Sequence, residues 1–323
     1  MRHILVAGKL HPAGLALLEN AKTRGFTHAY IEEISEASYA PLIDKADALV
    51  IRTQPMSAET VARGTKLKVV SRHGVGYDAV DLAALNEHKI ALMIVGDVNS
   101  ISVAEHAMMQ MLAAAKRAVR ADNAVRDSAK WGWRNLLEQQ EISSKRLLIL
   151  GYGRIGRNLA RMAAGFQMEV RAYDPYLARH GWPEGPVRPV SDLNAELGWA
   201  DFISVHVPRG DRPVIGAAEI AVMKPGVIIV NTARGGVVDE AALAAGLRSS
   251  QIGGVGFDVF EVEPPTIGSP LLAFDQAVLS PHIAGLTLEA AERMAVMSVQ
   301  NVIDYFAGKG DPDLIVNRTA IDA

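Results

Sequence analysis

The chain has 323 residues, 49% of them apolar and 21% charged, so it can hold two ordinary domains with proper cores and has the balance of a globular protein. Its net charge of −3 weighs against a nucleic-acid surface, which needs a clustered positive excess. There is no cysteine, which excludes a disulfide framework, a thiolate nucleophile and a Cys-ligated metal; no metal site is expected.

The opening MRHILVAGKLHPAG carries a short apolar run, but Lys9 and Pro12 interrupt it too early for a secretory h-region. No apolar stretch approaches the roughly 20 residues needed to cross a bilayer. The expectation is a cytoplasmic protein without a membrane partner. Strand-like runs then follow at 4–7, 28–31, 48–52, 69–72 and 91–95, and in the second half at 147–150, 170–173, 202–206, 227–231, 254–259 and 277–280. Helical segments fit between most of them. Near-continuous apolar strands separated by helices predict parallel sheets covered on both faces. Two such sets predict an α/β protein of two doubly wound parallel-sheet domains.

Residues 102–130 contain neither proline nor glycine and are rich in Ala, Met, Arg and Asp. They predict one long helix, or two abutting ones, ended by Trp131-Gly132-Trp133. Such a helix is either an ordinary interdomain element or one face of a subunit contact.

Residues 146–156 read RLLILGYGRIG, and a helical pattern follows. A strand running into Gly151, Gly153 and Gly156 and then into a helix is the context in which GxGxxG binds a dinucleotide. Gly151 makes the tight turn, Gly153 admits the pyrophosphate and Gly156 lets helix and strand pack closely. The Arg154 and Ile155 amides, at the helix N-terminus, are the natural donors to the anion. The next strand ends at Asp174, 18 residues past Gly156, near where an acidic residue accepts from the ribose hydroxyls. Its charge would repel a 2′-phosphate, and no arginine follows until Arg179. The expected cofactor is therefore NAD. A methyltransferase can also carry a glycine-rich turn and an acid, so this motif alone does not name the chemistry.

Three polar residues lie where strands should end: Arg234 after VIIVNTA, Glu263 after GVGFDVF and His282 after AVLSP. Open parallel sheets bind ligands beyond the carboxyl ends of their strands. His282 can act as acid and as base near neutral pH. A carboxylate at Glu263 beside it would favour the protonated ring. Arg234 offers a planar fork for a substrate carboxylate. This set suits hydride transfer to and from a 2-oxo or 2-hydroxy acid.

These motifs together resemble the D-isomer-specific 2-hydroxyacid dehydrogenase family. The runs are GYGRIG, YDPY (173–176), HVP (206–208), VNTARGGVVDE (230–240), GFDVFEVEPP (256–265) and SPHIAG (280–285). VVSRHGVGYDAVDL (69–82) and NSISVAEH (99–106) fit as well, so the likeness extends from about residue 48 onward.

The resemblance implies a Rossmann-type cofactor domain at 100–288 and a flavodoxin-like substrate domain made of 1–99 and 289–323, with the cleft between them. It implies that Arg234 binds substrate, Glu263 pairs with the histidine and His282 is the acid/base. Asp258 and the backbone at Thr232 and Ala233 would hold the nicotinamide amide. His206, Val207, Pro208 and Gly285 would line the cofactor cleft. Val75 and Gly76 would offer N–H groups to the substrate carboxylate. Family members commonly form homodimers through the helix after Ser102.

Two departures stand out: VPRGDRPVIG (207–216) is short and lacks the usual Leu-Thr, and Leu286 replaces a smaller residue near His282. Arg52, Arg72 and Arg134 resemble arginines that meet the phosphate in phosphoglycerate-oxidising members. Against that substrate, the sequence ends about 40 residues past His282, without the added C-terminal domain many of those enzymes carry. The expected substrate is a small 2-hydroxy or 2-oxo acid, either 3-phosphoglycerate or one of the glyoxylate and hydroxypyruvate type. The rival reading is a non-catalytic, NAD-sensing binding protein of the same fold.

Overall fold

Strands β1 (Arg2–Ala7), β2 (Phe26–Ile31), β3 (Ala48–Ile51), β4 (Val69–Arg72) and β5 (Ala91–Met93) pair in parallel in the order β2-β1-β3-β4-β5. This order is that of flavodoxin-like sheets. It is seen in a computed structural model that describes residues 1–322. The strands read as unbroken apolar runs because both faces are covered. Leu5, Leu49, Ile51, Val70 and Leu92 pack on one side, and Ile4, Val6, Val50, Val69 and Met93 on the other. The second side is covered partly by the helix Leu288–Phe306, through Ala295, Val299 and Val302. The chain divides at 99/100 and again at 286/287, so this unit takes both ends of the sequence and Ser100–Leu286 forms the other.

The second unit carries β6 (Arg146–Leu150), β7 (Glu169–Tyr173), β8 (Arg188–Val190), β9 (Phe202–Val205), β10 (Val227–Asn231), β11 (Ile252–Phe257) and β12 (Ala277–Leu279). All pair in parallel, in the order β12-β11-β10-β9-β6-β7-β8. The chain winds outward from β6 to one edge, returns, and winds outward from β9 to the other. That reversal puts the topological switch point beyond the carboxyl ends of β6 and β9, where doubly wound sheets bind dinucleotides. Alternate residues feed the two covering layers: Leu148, Leu150, Ile203 and Val205 face one, Leu147, Ile149 and Phe202 the other.

Several expected elements are corrected. β8 was not foreseen; it is a three-residue edge strand containing Pro189, and proline is tolerated only at such edges. Of the two arrangements expected for residues 102–130, one long helix or two abutting ones, the second is found. Helix Ser100–Ala115 stops, Arg117 takes a left-handed conformation (φ 53°), and a second helix runs Ala118–Arg126. The Trp131-Gly132-Trp133 segment does not end a helix but lies inside the 3-10 stretch Ser128–Leu136. Several strands stop one or two residues short of the expected apolar run: Arg52, Val95, His206, Val259 and Ser280 belong to the turns that follow. No helix among the described residues is long and apolar enough to cross a membrane.

Candidate active site

The dinucleotide turn follows from local sterics. Gly151 has φ +92°, and a Cβ there would stand 2.7 Å from the His206 carbonyl oxygen. A Cβ on Gly156 would collide with the Gly151 oxygen, whereas one on Gly153 would meet nothing within 4 Å. The glycines therefore divide the work as expected: conformation, close packing and open approach. Gly153 is the N-cap of helix Arg154–Gly165 and offers no side-chain acceptor to its first N–H groups. The Arg154 and Ile155 amides are thus exposed to an anion at the positive end of the helix dipole.

Asp174 lies at the end of β7. Its Oδ2 accepts from the Tyr152 N–H at 2.9 Å, and its Oδ1 from Tyr176 and Leu177 at 2.9 and 3.0 Å. The carboxylate thus braces the glycine turn and caps the next helix. A carboxylate has about four lone-pair positions, so one remains for a ribose hydroxyl.

At the ends of β9 and β10, two buried polar atoms, His206 Nδ1 and Thr232 Oγ1, have no hydrogen-bond partner among the described residues. Buried polar groups are seldom left so, and both residues directly follow strands at the carboxyl edge where a doubly wound sheet binds its dinucleotide. His206 Nε2 bonds Ser204 Oγ at 2.9 Å, and burial pushes its pKa down to about 3, so the ring is neutral and is no acid/base. Val207 packs against Gly151; Pro208 is exposed beyond it. Ala233 N donates to Asn231 Oδ1 and Asn231 Nδ2 to the Arg234 oxygen, each at 3.0 Å. Asn231, given no role from the sequence, thereby shapes the turn that presents Arg234. The glycine cradle, the free helix amides, the spare Asp174 lone pair and the two orphans fit NAD.

Arg234 is half-buried beyond β10, with one guanidinium N–H donating to the Ala233 oxygen at 2.7 Å. The turn after it fits closely against the Glu263 segment: a Cβ on Gly235 would overlap the Phe260 carbonyl. Glu263 Oε1 accepts from the Phe260 N–H at 3.0 Å, and Oε2 bonds His282 Nδ1 at 2.8 Å. A carboxylate only accepts, so Nδ1 carries the proton and Nε2 is the ring's outward nitrogen. His282 has φ 54° and a half-exposed side chain. The segment holding it is fastened to buried Asp258, whose carboxylate accepts from Ser280 Oγ at 2.6 Å, Ile283 N at 2.9 Å and Ala284 N at 2.8 Å. Asp258 therefore shapes the histidine loop from within the chain. Gly285 and Leu286 follow in the same loop, Leu286 half-exposed.

In the other unit, β3 and β4 lie side by side with Ile51 opposite Arg72. Arg52 and Arg72 therefore stand at one carboxyl edge. Arg52 donates to the Lys9 oxygen at 3.0 Å, and Arg72 to the His73 oxygen at 2.6 Å. The Val75 and Gly76 amides in the following loop have no acceptor among the described residues. His73, buried between strand and loop, has its pKa pushed down to about 3 by burial and by the neighbouring Arg52 charge. Arg134 lies in the cofactor unit, with its guanidinium 5.8 Å from the Trp131 ring centre.

Similarity to known proteins decides the family. The model described as D-isomer specific 2-hydroxyacid dehydrogenase, NAD binding domain, matches residues 108–284, more than half of the chain. The chain belongs to that family. It is 37% identical over 276 residues to hydroxypyruvate reductase of Thermotoga maritima, covering 84% of this chain and 88% of the relative. It is 36% identical over 269 residues to D-3-phosphoglycerate dehydrogenase of Archaeoglobus fulgidus, covering 82% of this chain but only 50% of the relative. The chain thus spans about half the length of the phosphoglycerate dehydrogenase it matches there. Among solved structures, a glyoxylate reductase from Paecilomyes thermophila superimposes with a TM-score of 0.81 at 27% identity, covering 98% of this chain and 97% of that one. The two parallel sheets and the NAD-binding domain are those of the family. Sequence reasoning gives no role to His106 in NSISVAEH, to Ser280 in SPHIAG or to Gln110. The spacing of His106 and Gln110, one helical turn apart, was the available signal.

Proposed function

We propose that this chain is an NAD-dependent dehydrogenase that moves a hydride between nicotinamide and C2 of a small D-2-hydroxy or 2-oxo acid. The observation that carries this reading is the 2.8 Å bond from His282 Nδ1 to Glu263. It fixes one tautomer and leaves Nε2 for substrate. NAD, when bound, supplies or accepts the hydride. In the reductive direction the Arg234 fork orients the substrate carboxylate. His282 Nε2–H gives its proton to the C2 oxygen as the hydroxyl forms, and in oxidation neutral Nε2 takes that proton back. Glu263 stays hydrogen-bonded to Nδ1 and stabilises the imidazolium in either direction.

The substrate reading is a small 2-oxo acid such as hydroxypyruvate or glyoxylate. A specific observation favours a second, phosphorylated three-carbon acid: Arg52 and Arg72 at one strand edge could share a multiply charged group. The test follows NADH absorbance near 340 nm with both kinds of acid. A wild-type preference for phosphohydroxypyruvate over hydroxypyruvate that Arg52→Ala abolishes supports the phosphate reading. A wild type without that preference supports the simpler acid. Cofactor binding without turnover of any acid supports a sensor and defeats the dehydrogenase.

We also propose a homodimer through helix Ser100–Ala115. Met108, Met109, Leu112 and Phe166 line an open apolar groove, flanked by Glu105 on that helix and by Lys116 just past its end. Two-fold symmetry is self-complementary. An antiparallel second copy would set each Glu105 near the partner's Lys116 while covering the methionines. Light scattering should give twice the chain mass, and Met109→Lys should halve it.

A further inference from the structure

We propose that His106 is a positioning residue for the acid/base loop, acting through Ser280 and Asp258; this rests on the dehydrogenase reading of His282. The arrangement begins at Gly256 on β11, where a Cβ would stand only 2.6 Å from the Gln110 Cβ. The missing side chain lets helix Ser100–Ala115 settle on the sheet. His106 and Gln110, one turn apart on that helix, then reach the same atom: Ser280 Oγ lies 2.8 Å from His106 Nε2 and 3.1 Å from Gln110 Nε2.

Proton bookkeeping fixes the roles. Ser280 has one hydroxyl hydrogen, and the Asp258 carboxylate 2.6 Å away can only accept it. The Ser280 oxygen therefore accepts from both Gln110 and His106, so His106 carries its proton on Nε2. That N–H also lies 3.7 Å from Asp258 Oδ1. Asp258 is 1% exposed, and a carboxylate so buried needs a full set of donors. Its other donors are the Ile283 and Ala284 amides, and its main-chain oxygen accepts from the His282 N–H at 2.7 Å.

These bonds clamp the residues on both sides of a histidine whose φ is 54°. A non-glycine residue persists there only when its surroundings over-determine it. Among the described residues no hydrogen bond joins His106 to His282, and its hydrogen bond in this cluster is to Ser280 Oγ. Its effect passes through the Ser280 hydroxyl to the carboxylate that holds the loop. Losing the imidazole leaves Ser280 one donor short, and the loop opens more often. His282 then spends less time in place, while Arg234 keeps its hold on substrate.

The test uses His106→Ala, His106→Gln and Ser280→Ala in the full chain. The Gln amide N–H has about the same reach as Nε2 and should replace it. One hydrogen bond of ordinary strength corresponds to roughly a three- to tenfold change. In reduction of the oxo acid, His106→Ala should lower kcat by that factor and leave KM for the acid unchanged. It should speed hydrogen exchange of the Ile283 and Ala284 amides by a similar factor. His106→Gln should restore both. The His106→Ala, Ser280→Ala double variant should lose no more than the worse single, because the two act in one chain. If His106→Ala does not fold, His106→Asn, whose amide is too short to reach Ser280, takes its place. Unchanged exchange at Ile283 and Ala284, failure of Gln to restore, or additive losses would each overturn the proposal. If the wild type turns over no acid, the dehydrogenase reading fails, and the exchange rates still decide whether His106 holds the loop.

Discussion

A single carboxylate shows how one residue can serve folding and recognition together. Asp174 accepts three main-chain N–H groups, from Tyr152, Tyr176 and Leu177. The ribose-binding role proposed for it rests on its spacing from Gly156. Its capping role was not legible in the sequence, because the Tyr152 amide comes from another turn. Asp174→Asn keeps an oxygen for the cap and removes the charge. A hydrogen bond to a charged group is worth about 1.5–3 kcal/mol, so kcat/KM for NAD should fall roughly 10- to 100-fold, with NADP used relatively better. A wild type that already prefers NADP would defeat this assignment. Arg234, Glu263 and His282 were visible as candidates, since each follows an apolar run. Asn231, Ser280 and His106 were not: they act by closing turns and loops, and nothing in a linear pattern shows which turns meet.

Among elements, strands with covered faces were read well because burial on both sides leaves an unbroken apolar string. β8 was missed because an edge strand of Arg-Pro-Val carries no such string. Strand ends were read as too long because His206, Val259 and Ser280 continue the apolar or small run into turns that build the site. The strand-end regions after β4 and β9 each bury a histidine. Burial, with Arg52 beside His73, holds both imidazoles neutral, with pKa values of about 3. The sign follows from linkage: above the ordinary value of about 6.5 neither state takes a proton. As pH falls below it, the unfolded chain is protonated while the native rings resist, so stability drops. The thermal midpoint should be lower at pH 5 than at pH 7.5, and His206→Asn should narrow that difference. An identical pH dependence in the variant would mean that His206 is protonated in the native fold.

For the whole molecule, the two doubly wound parallel sheets were legible in the alternation of apolar and helical runs. The break at Arg117 was left open by the sequence, because residues 102–130 contain no helix-breaking type. Both sheets set their polar residues beyond the carboxyl ends of parallel strands. That arrangement gives the dinucleotide turn, the Arg234 fork and the Glu263–His282 pair a common edge of the second sheet. The functional reading stands on that pair doing acid–base chemistry for hydride transfer. The most direct test is the turnover of His282→Gln against wild type with NADH and a reactive 2-oxo acid. General acid–base catalysis contributes about 10²–10⁴ in rate. The expected result is a loss in kcat within that range, with NADH binding and thermal midpoint retained; a variant that turns over at near wild-type rate would contradict it.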